Sequence, residues 1–386
     1  MTAPGARRRG TTPGAPRGPR TLGTVQELDT TEAPQPRTEY GAPLAPLTTL
    51  RLGGPAARLV TAETDEQVVA AVREADASGT PLLIVAGGSN LVIADEGFAG
   101  TVLRIATRGW VLDGTDLELA AGENWSEAVA RTVEAGLAGV ECLAGIPGSA
   151  GATPVQNVGA YGQEISGTLT EVIAYDRIGG ETVTIPNEEC GFGYRWSRFK
   201  AEPDRYTVLR VRFRLEDAGG LSAPLKYAET ARVLGVGAGE RVPVARARET
   251  VLALRAGKGM VLDAADHDTW SAGSFFTNPV LDDAEFAAFR ARAGARLGAG
   301  VEPPAFPAGE GRTKTSAAWL IDKAGFTKGY GTGPARISTK HTLALTNRGE
   351  ATTADLLSLA REVRAGVFDA FGVTLVNEPV TVGCSL

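Results

Sequence analysis

With 386 residues, 43% hydrophobic and 22% charged, the chain holds enough apolar material for a sizeable core, and its length allows two or three domains. A formal charge of -6, a pI near 5.3 and only 7 lysines among 39 basic residues, with no dense basic block in the body, argue against a general nucleic-acid binder. Cys142, Cys190 and Cys384 lie far apart without a C-x-x-C pair, and His267 and His341 are the only histidines, so a disulfide framework, a thiolate zinc site and a multi-imidazole centre all lack material.

Residues 1 to 38 carry Arg7, Arg8, Arg9, Arg17 and Arg20 among Pro, Gly and Thr, with no apolar stretch after the arginines such as a secretory or twin-arginine signal requires. This composition reads as a disordered tail; a nucleic-acid-binding arm is the rival reading. The body opens with TLRLGGPAARLV, a strand-like segment bent at Gly53 and Gly54, then a helix for which Thr64 and Gln67 form a capping box. PLLIVAGGSNLVIAD follows, two short apolar runs around a Gly-Gly-Ser-Asn turn. Its Leu82–Ala86 run is as long as any apolar stretch in the chain, far below the roughly 18 residues of a membrane span.

From Thr101 to Leu215 the runs TVLRIA, LELAA, EVIAYD and TVLRVRFRL predict a mainly β region with one helix near Ser126 to Ala135. After the flexible break DAGGLSA, helices are expected over Val244 to Ala256, from Asp282, from Thr315 to a stop at Gly325, and over Thr353 to Phe371 ahead of Gly372. ARAGARLGAGVEPPAFPAGEGR, within 291–312, reads as a long surface insertion because Pro and Gly oppose a core element. Asp263, Asp266, His267 and Asp268 could suggest a metal, but an acidic loop with one histidine is more often a solvated turn, and no metal is assigned.

Three segments invite ligand chemistry. The turn of Gly87, Gly88, Ser89 and Asn90, with Leu91 after it, can aim successive backbone N–H groups at a phosphate, although an ordinary hairpin explains the same tetrapeptide. No helix follows, so neither a Rossmann fingerprint nor a P-loop is present. AGIPGSAGATPVQNVGAYGQEI interleaves small residues with Gln156, Asn157 and Tyr161. Its small side chains admit close approach of backbone to a ligand, and its amides suit a polar heterocycle; a Gly-rich crossover is the plain alternative. SAGSFFTNP places the Ser274 hydroxyl beside two phenylalanines, a setting for a proton donor.

In this order, and together with FGYRWSRFK from Phe192, LKYAET from Leu225, AAWLIDKAGF and LVNEPVTVG, these segments resemble the UDP-N-acetylenolpyruvoylglucosamine reductase family from about Thr48 to Gly383. The resemblance implies an α+β fold with a vanillyl-alcohol-oxidase-type FAD-binding region in two parts, 39–105 with a return strand at 375–386 and 106–262, followed by a C-terminal substrate domain at 263–374. It implies noncovalent FAD, NADPH as hydride donor, and reduction of UDP-N-acetylglucosamine enolpyruvate to UDP-N-acetylmuramate for peptidoglycan. A UDP-sugar is then the partner, with no nucleic acid and no membrane, in a cytoplasmic monomer.

By the same resemblance FAD is held by Gly87, Gly88, Ser89, Asn90 and Leu91, by Gly145, Ile146, Pro147, Gly148, Gly151, Ala152 and Thr153, and by Gln156, Asn157, Gly159, Ala160 and Tyr161. The chemistry itself asks for a cation and donors to stabilise an enolate-like dianion. By resemblance, Arg195 in the family's FGYR position can meet the carboxylate bidentately, Glu378 in the L-x-x-E position can hold hydrogen-bonding groups or hydrogen-bond as the acid, and Ser274 gives a proton to the α-carbon. Tyr227, Lys258 and Asn278 match substrate-contacting positions, Tyr227 on the substrate-covering loop of the longer family type. Pro379 departs from the more usual valine and puts local strand pairing in question, because proline cannot donate to a ladder.

Two rivals stay open on the sequence: an oxidase with the same kind of FAD domain, and a nucleotide-sugar binder without redox activity. The tail composition generates one expectation: a chain lacking residues 1–38 should keep full turnover in a steady-state assay, since such a segment cannot repay its ordering entropy. A large fall with the fold intact would assign the tail a role.

Overall fold

The apolar stretches PAARLV, LLIV and TVLRI are short, β-branched and separated by a capped helix, the pattern of a β-α-β start. The computed structural model describes Met1 and residues 35–386; the expected disordered tail falls mostly outside the described residues. Strand β1 (Arg37–Pro43) takes in the last two residues of the expected tail, Arg37 and Thr38, and pairs antiparallel with β2 (Pro55–Ala62), Arg37 opposite Thr61. A truncation that spares this ladder must therefore stop short of Arg37. TLRL before the two glycines is a turn rather than a strand, with the Leu44 amide donating to the Gly54 carbonyl.

Helix α1 (Asp65–Ser78) is capped by Thr64, whose hydroxyl accepts from the Gln67 amide, while Gln67 Oε1 accepts from Glu63 N at 2.7 Å. It crosses to β3 (Leu82–Val85). β4 (Leu91–Ile93) and β5 (Phe98–Ile105) follow, and the first sheet runs β1-β2-β5-β3, with β5 parallel to β2 and to β3. The Gly-Gly-Ser-Asn turn is not a hairpin. Strand β4 leaves the sheet that holds β3 and pairs with β20 (Val380–Val382) in parallel. Val92 is then buried among C-terminal residues, while Ile93 packs with the first sheet.

A second sheet, β12-β11-β13-β7-β6, is antiparallel throughout and comprises β6 (Trp110–Asp113), β7 (Asp116–Ala120), β11 (Leu169–Asp176), β12 (Glu181–Pro186) and β13 (Tyr206–Arg214). Helix α2 (Trp125–Glu134), capped by Asn124, packs against it. Two-residue strands β8 (Leu137–Ala138) and β14 (Glu216–Asp217) pair with each other, and β9 (Gly159–Ala160) and β10 (Gln163–Glu164) make a tight hairpin. Val60, Leu103, Leu119, Trp125, Val172 and Phe213 belong to one apolar cluster, so the first two sheets share a core.

Beyond the short helix α3 (Arg198–Ala201) come α4 (Ala228–Leu234) and α5 (Val244–Gly257), then β15 (Val280–Asp282) and α6 (Asp283–Leu297). Helix α6 has a full capping box between Asp282 and Glu285 and takes in the first seven residues of the expected surface insertion. Alanine-rich ARAGARL keeps helical propensity despite Gly294, and Ala293 is fully buried. Phe306 and Pro307 form β16, which pairs with β17 (Arg312–Lys314). The stretch 298–305 is left without helix or strand, and 308–311 is the turn between the two strands.

Helix α7 (Ala317–Lys323), the pair β18 (Ala335–Ile337) and β19 (Leu345–Asn347), and α8 (Thr353–Phe371) complete a second large core with Phe275, Phe276, Phe289, Leu320 and Val363. The Thr353 hydroxyl donates to the Ile93 carbonyl at 2.6 Å, which ties α8 to β4. Pro379 is accommodated because the chain changes partner there: Glu378 N donates to Phe275 O and Val380 N to Asn90 O, both at 2.9 Å. The missing proline N–H falls between the two ladders.

No helix among the described residues is long and apolar enough to cross a membrane. The shared core predicts that Phe213→Ala, which empties a fully buried site beside Trp125 (ring centroids 5.7 Å apart), lowers stability by about 3–5 kcal/mol in denaturant titration. A loss under about 1 kcal/mol would show that the two sheets do not depend on one core.

Candidate active site

Strands β3 and β4 diverge to different partners, and two glycine-rich segments meet at the turn between them. A Cβ on Gly87 would lie 2.5 Å from Gly148 Cα, and one on Gly88 would collide with the Leu47 carbonyl. These contacts require glycine. Gly151 is likewise pressed on Ala121, where its amide donates to the Ala121 carbonyl at 2.9 Å.

Among the described residues, the amides of Gly87, Gly88, Ser89 and Asn90, and those of Gly145, Ile146, Gly148 and Ser149, donate to no protein acceptor. The Ser149 hydroxyl and Trp125 Nε1 are buried and also unpartnered. Convergent unspent donors on backbone stripped of side chains fit a pyrophosphate, as the dinucleotide FAD carries. Ser149, inside the glycine-rich segment, was not singled out by the sequence reading.

A polar chain joins this cradle to the expected catalytic residues. Asn90 Nδ2 donates to Gln156 Oε1, and Gln156 Nε2 donates to Glu378 Oε1, both at 3.3 Å. Glu378 Oε1 lies 3.0 Å from Arg195 Nε, an ion pair in which that N–H is not well aimed at the carboxylate. Arg195 Nη2 donates to the Gly159 carbonyl at 3.0 Å, and Lys200 Nζ to the Arg195 carbonyl at 3.1 Å. Burial pushes the Glu378 carboxyl above its usual range, against the opposing pull of Arg195 and Lys200.

Arg195, Asn157 and Tyr161 have φ of 52°, 46° and 49°, three of the four non-glycine residues in the left-handed region among the described residues. Such backbone persists only where surroundings over-determine it. Asn157 is fixed by Glu164 and the Gly193 carbonyl, and Tyr161 with Gly162 forms the two-residue turn of the β9–β10 hairpin.

Ser274 is half-buried and its hydroxyl makes no hydrogen bond within the described structure. It precedes Phe275, whose carbonyl accepts the Glu378 amide, so Ser274 and Glu378 come from two segments in direct backbone contact. Asn278 is partly committed to architecture, since its Oδ1 accepts from the Ala317 amide at the start of α7. Asn278, Tyr194, Arg195 and Lys200 line a cleft of about 610 Å³ floored by Phe289, Phe371 and Val376.

Tyr227 and Lys258 gather around Tyr161 instead. The two tyrosine rings meet edge-on at 5.3 Å, and Lys258 Nζ sits 5.6 Å from the Tyr161 ring while pairing with Glu229 at 2.7 Å. Among the described residues, no hydrogen bond or ion pair joins them to the Arg195–Glu378 pair. The β9–β10 hairpin is the link, holding Arg195 at Gly159 and Tyr227 at its tip.

The acidic loop is spent on structure. Asp268 accepts from Thr339 N and Arg348 Nη1, Asp266 pairs with Lys340, and His267 stacks on Trp270 at 4.4 Å. Cys142, three residues before Gly145, is pushed by burial up to about 12, which keeps it a thiol.

A family model described as UDP-N-acetylenolpyruvoylglucosamine reductase, C-terminal domain, matches residues 265–382, and one described as FAD binding domain matches residues 56–178. The UDP-N-acetylenolpyruvoylglucosamine reductase of Streptomyces coelicolor is 77% identical over 367 residues, 95% of this chain and 93% of that protein. That of Thermobifida fusca is 59% identical over 349 residues, 89% of this chain and 98% of its own. The crystal structure of the Thermus caldophilus enzyme (MurB) superposes with a TM-score of 0.61 at 26% identity, covering 90% of this chain and 99% of that one.

The cradle generates a test. Gly87→Ala must push the two segments apart, an overpacking of about 1–3 kcal/mol, and should weaken FAD binding by about tenfold or more in a fluorescence titration of flavin-free protein. Unchanged affinity would mean that the Gly87–Gly148 contact does not shape the cofactor site.

Proposed function

We propose, for a chain that belongs to the UDP-N-acetylenolpyruvoylglucosamine reductase family, that Arg195, Glu378 and Ser274 carry the reaction and that the two glycine-rich segments hold its cofactor. The enzyme is an FAD-dependent reductase of peptidoglycan precursor synthesis, and NADPH is the family's hydride donor. When bound, FAD supplies reversible two-electron chemistry, taking hydride from NADPH and giving it to the substrate. The unspent amides at Gly87–Asn90 and Gly145–Ser149 suit its pyrophosphate, and the buried Cys142 thiol supports noncovalent attachment.

The substrate is an enol ether carboxylate attached to a UDP-sugar. Hydride adds to its terminal methylene carbon, which becomes a methyl group, and the π electron pair moves to the α-carbon beside the carboxylate. Negative charge therefore grows on the carboxylate while the carbanion forms. Arg195 is held from behind by the Gly159 carbonyl and by Glu378, which leaves Nη1 to meet that carboxylate. Glu378 acts by positioning Arg195 and Gln156. Burial raises its pKa against the opposing pull of Arg195, and a water relay restores the serine's proton after transfer.

Ser274 then transfers its hydroxyl proton to the α-carbon, so that one hydride and one proton have added across the double bond. The observation that carries this assignment is a hydroxyl with no protein partner, next to the carbonyl that anchors Glu378. Tyr227 is exposed at the cap of α4 with its ring edge on Tyr161, which suits a residue that closes over bound substrate beside Lys258.

The three-part organisation belongs to the same reading: a vanillyl-alcohol-oxidase-type FAD region of 39–105 with the return strand, then 106–262, and a substrate domain of 263–374. It is supported by the pairing of β20 with β4 and by the separate apolar cluster of the C-terminal part. A cytoplasmic monomer follows from the family alone.

Ser274→Ala tests the assignment by half-reaction. Bleaching of the flavin by NADPH should proceed nearly unchanged, while reoxidation by UDP-N-acetylglucosamine enolpyruvate slows about 10²- to 10⁴-fold, or roughly 3–5 kcal/mol of barrier. Rapid-mixing absorbance separates the two. Equal slowing of both, or of neither, would remove Ser274 from the role of proton donor.

A further inference from the structure

Arg195 sits in a turn that its own residue type does not favour. Gly193 and Trp196 exchange both backbone hydrogen bonds, at 3.0 and 3.2 Å, which leaves Tyr194 and Arg195 as the two central residues. Arg195 takes φ 52° at the second of these positions, where glycine or asparagine is usual. A bulky residue holds that conformation only where its neighbours over-determine it. Asn157 Nδ2 donates to the Gly193 carbonyl at 3.2 Å, and Lys200 Nζ donates to the Arg195 carbonyl at 3.1 Å.

The position of Lys200 is itself fixed. It lies in the one-turn helix α3, whose cap Ser197 is fully buried: the Ser197 hydroxyl accepts from the Lys200 amide at 3.2 Å and donates to the Val155 carbonyl at 2.6 Å. Phe199, from the same turn of helix, is packed in the core shared by the first two sheets. The helix is thereby pinned to the segment whose next residue, Gln156, donates to Glu378. Arg198 pairs with Glu189 and Glu202, whereas Lys200 has no ion-pair partner among the described residues.

Five side chains from four segments surround Glu378. They are Arg195 and the Tyr194 phenol from the turn, Lys200 from α3, Gln156 from the second glycine-rich segment, and Asn90, whose amide reaches the Glu378 carbonyl at 3.4 Å. Of these only Arg195 and Lys200 are positively charged, and both oppose the upward pull of burial on the carboxyl. Substrate changes that balance. A carboxylate bound to Arg195 takes up part of the guanidinium's charge, and Lys200 is then the cation left to keep Glu378 ionised.

We propose that Lys200 is a positioning residue for hydride transfer to the substrate: its ammonium braces the Arg195 turn at the carbonyl and is the second positive charge facing Glu378. It acts through the two residues on which the functional reading above relies, and the proposal rests on that reading. One group serves as donor to a strained carbonyl and as counter-charge to a buried acid.

The test compares Lys200→Met and Lys200→Arg holoenzyme by rapid-mixing absorbance, with Arg195→Met as the reference. In Lys200→Met the limiting rate of flavin reoxidation by UDP-N-acetylglucosamine enolpyruvate should fall about 10- to 100-fold, and Lys200→Arg, which keeps both donor and charge, should restore most of it. A cation beside a carboxyl favours the ionised form, so its removal raises the pKa of Glu378. The acid limb of the reoxidation rate should therefore move upward by about 0.5–1 pH unit in Lys200→Met and stay in place in Lys200→Arg.

A limb that stays in place in Lys200→Met, or a wild-type rate there, would overturn the proposal and make Lys200 a packing residue. If Lys200→Met does not fold, Lys200→Gln, which keeps an amide donor without the charge, should show the same upward shift; an unshifted limb overturns the proposal as well. Arg195→Met that reoxidises at the wild-type rate would instead defeat the functional reading, so the two failures are distinguishable.

Discussion

Everything in the site depends on two stretches of backbone meeting without β-carbons between them. Gly87 against Gly148, and Gly88 against the Leu47 carbonyl, are approaches that no other residue makes without displacing main chain. The cause lies one step earlier, in the strand order. β3 belongs with β5, whereas β4 is drawn away to β20, so the turn between them cannot zip up as a hairpin. Its amides stay unspent and face the segment from Gly145, whose own amides are unspent too. A hairpin at the same tetrapeptide would have been sound structure and no site.

Conformational strain is concentrated where the polar chain passes. Arg195, Asn157 and Tyr161 all take left-handed backbone, and each is held by neighbours that also belong to the site: Gly159 for Arg195, Glu164 and Gly193 for Asn157, Gly162 for Tyr161. Positive φ at a bulky residue costs of order 1–3 kcal/mol, so these conformations are maintained by the fold rather than by local preference. What they achieve is aim. The β9–β10 hairpin turns one carbonyl toward Arg195 and one aromatic ring toward Tyr227 and Lys258, and so links the two groups of residues.

Several charges around the site are paired. Glu378 is buried but faces Arg195, Lys258 faces Glu229, and the acids of the 263–268 loop are matched with Lys340 and Arg348. Matched pairs of this kind hold geometry. Arg255, whose Nε lies sealed against Gly145 without an acceptor, has no carboxylate partner among the described residues.

The sequence by itself determined the local grammar. Thr64, Asp282 and Thr352 cap their helices, Gly372 ends the longest one, and the small-residue segments are where ligand-facing backbone lies, because caps, stops and side-chain-free stretches are set by neighbouring residues. It also carried the family, through motifs kept in order along the chain. It could not tell a helix from an insertion at 291–297, where alanine propensity and burial of Ala293 outweighed the glycines, nor that Pro379 falls harmlessly between two ladders. Only tertiary structure decided that the Gly-Gly-Ser-Asn turn stays open, that Arg195 meets Glu378 across 183 residues of chain, and that Arg255 finds no carboxylate among the described residues. Those facts depend on which strand finds which partner, and pairing between distant segments leaves no mark on either segment alone.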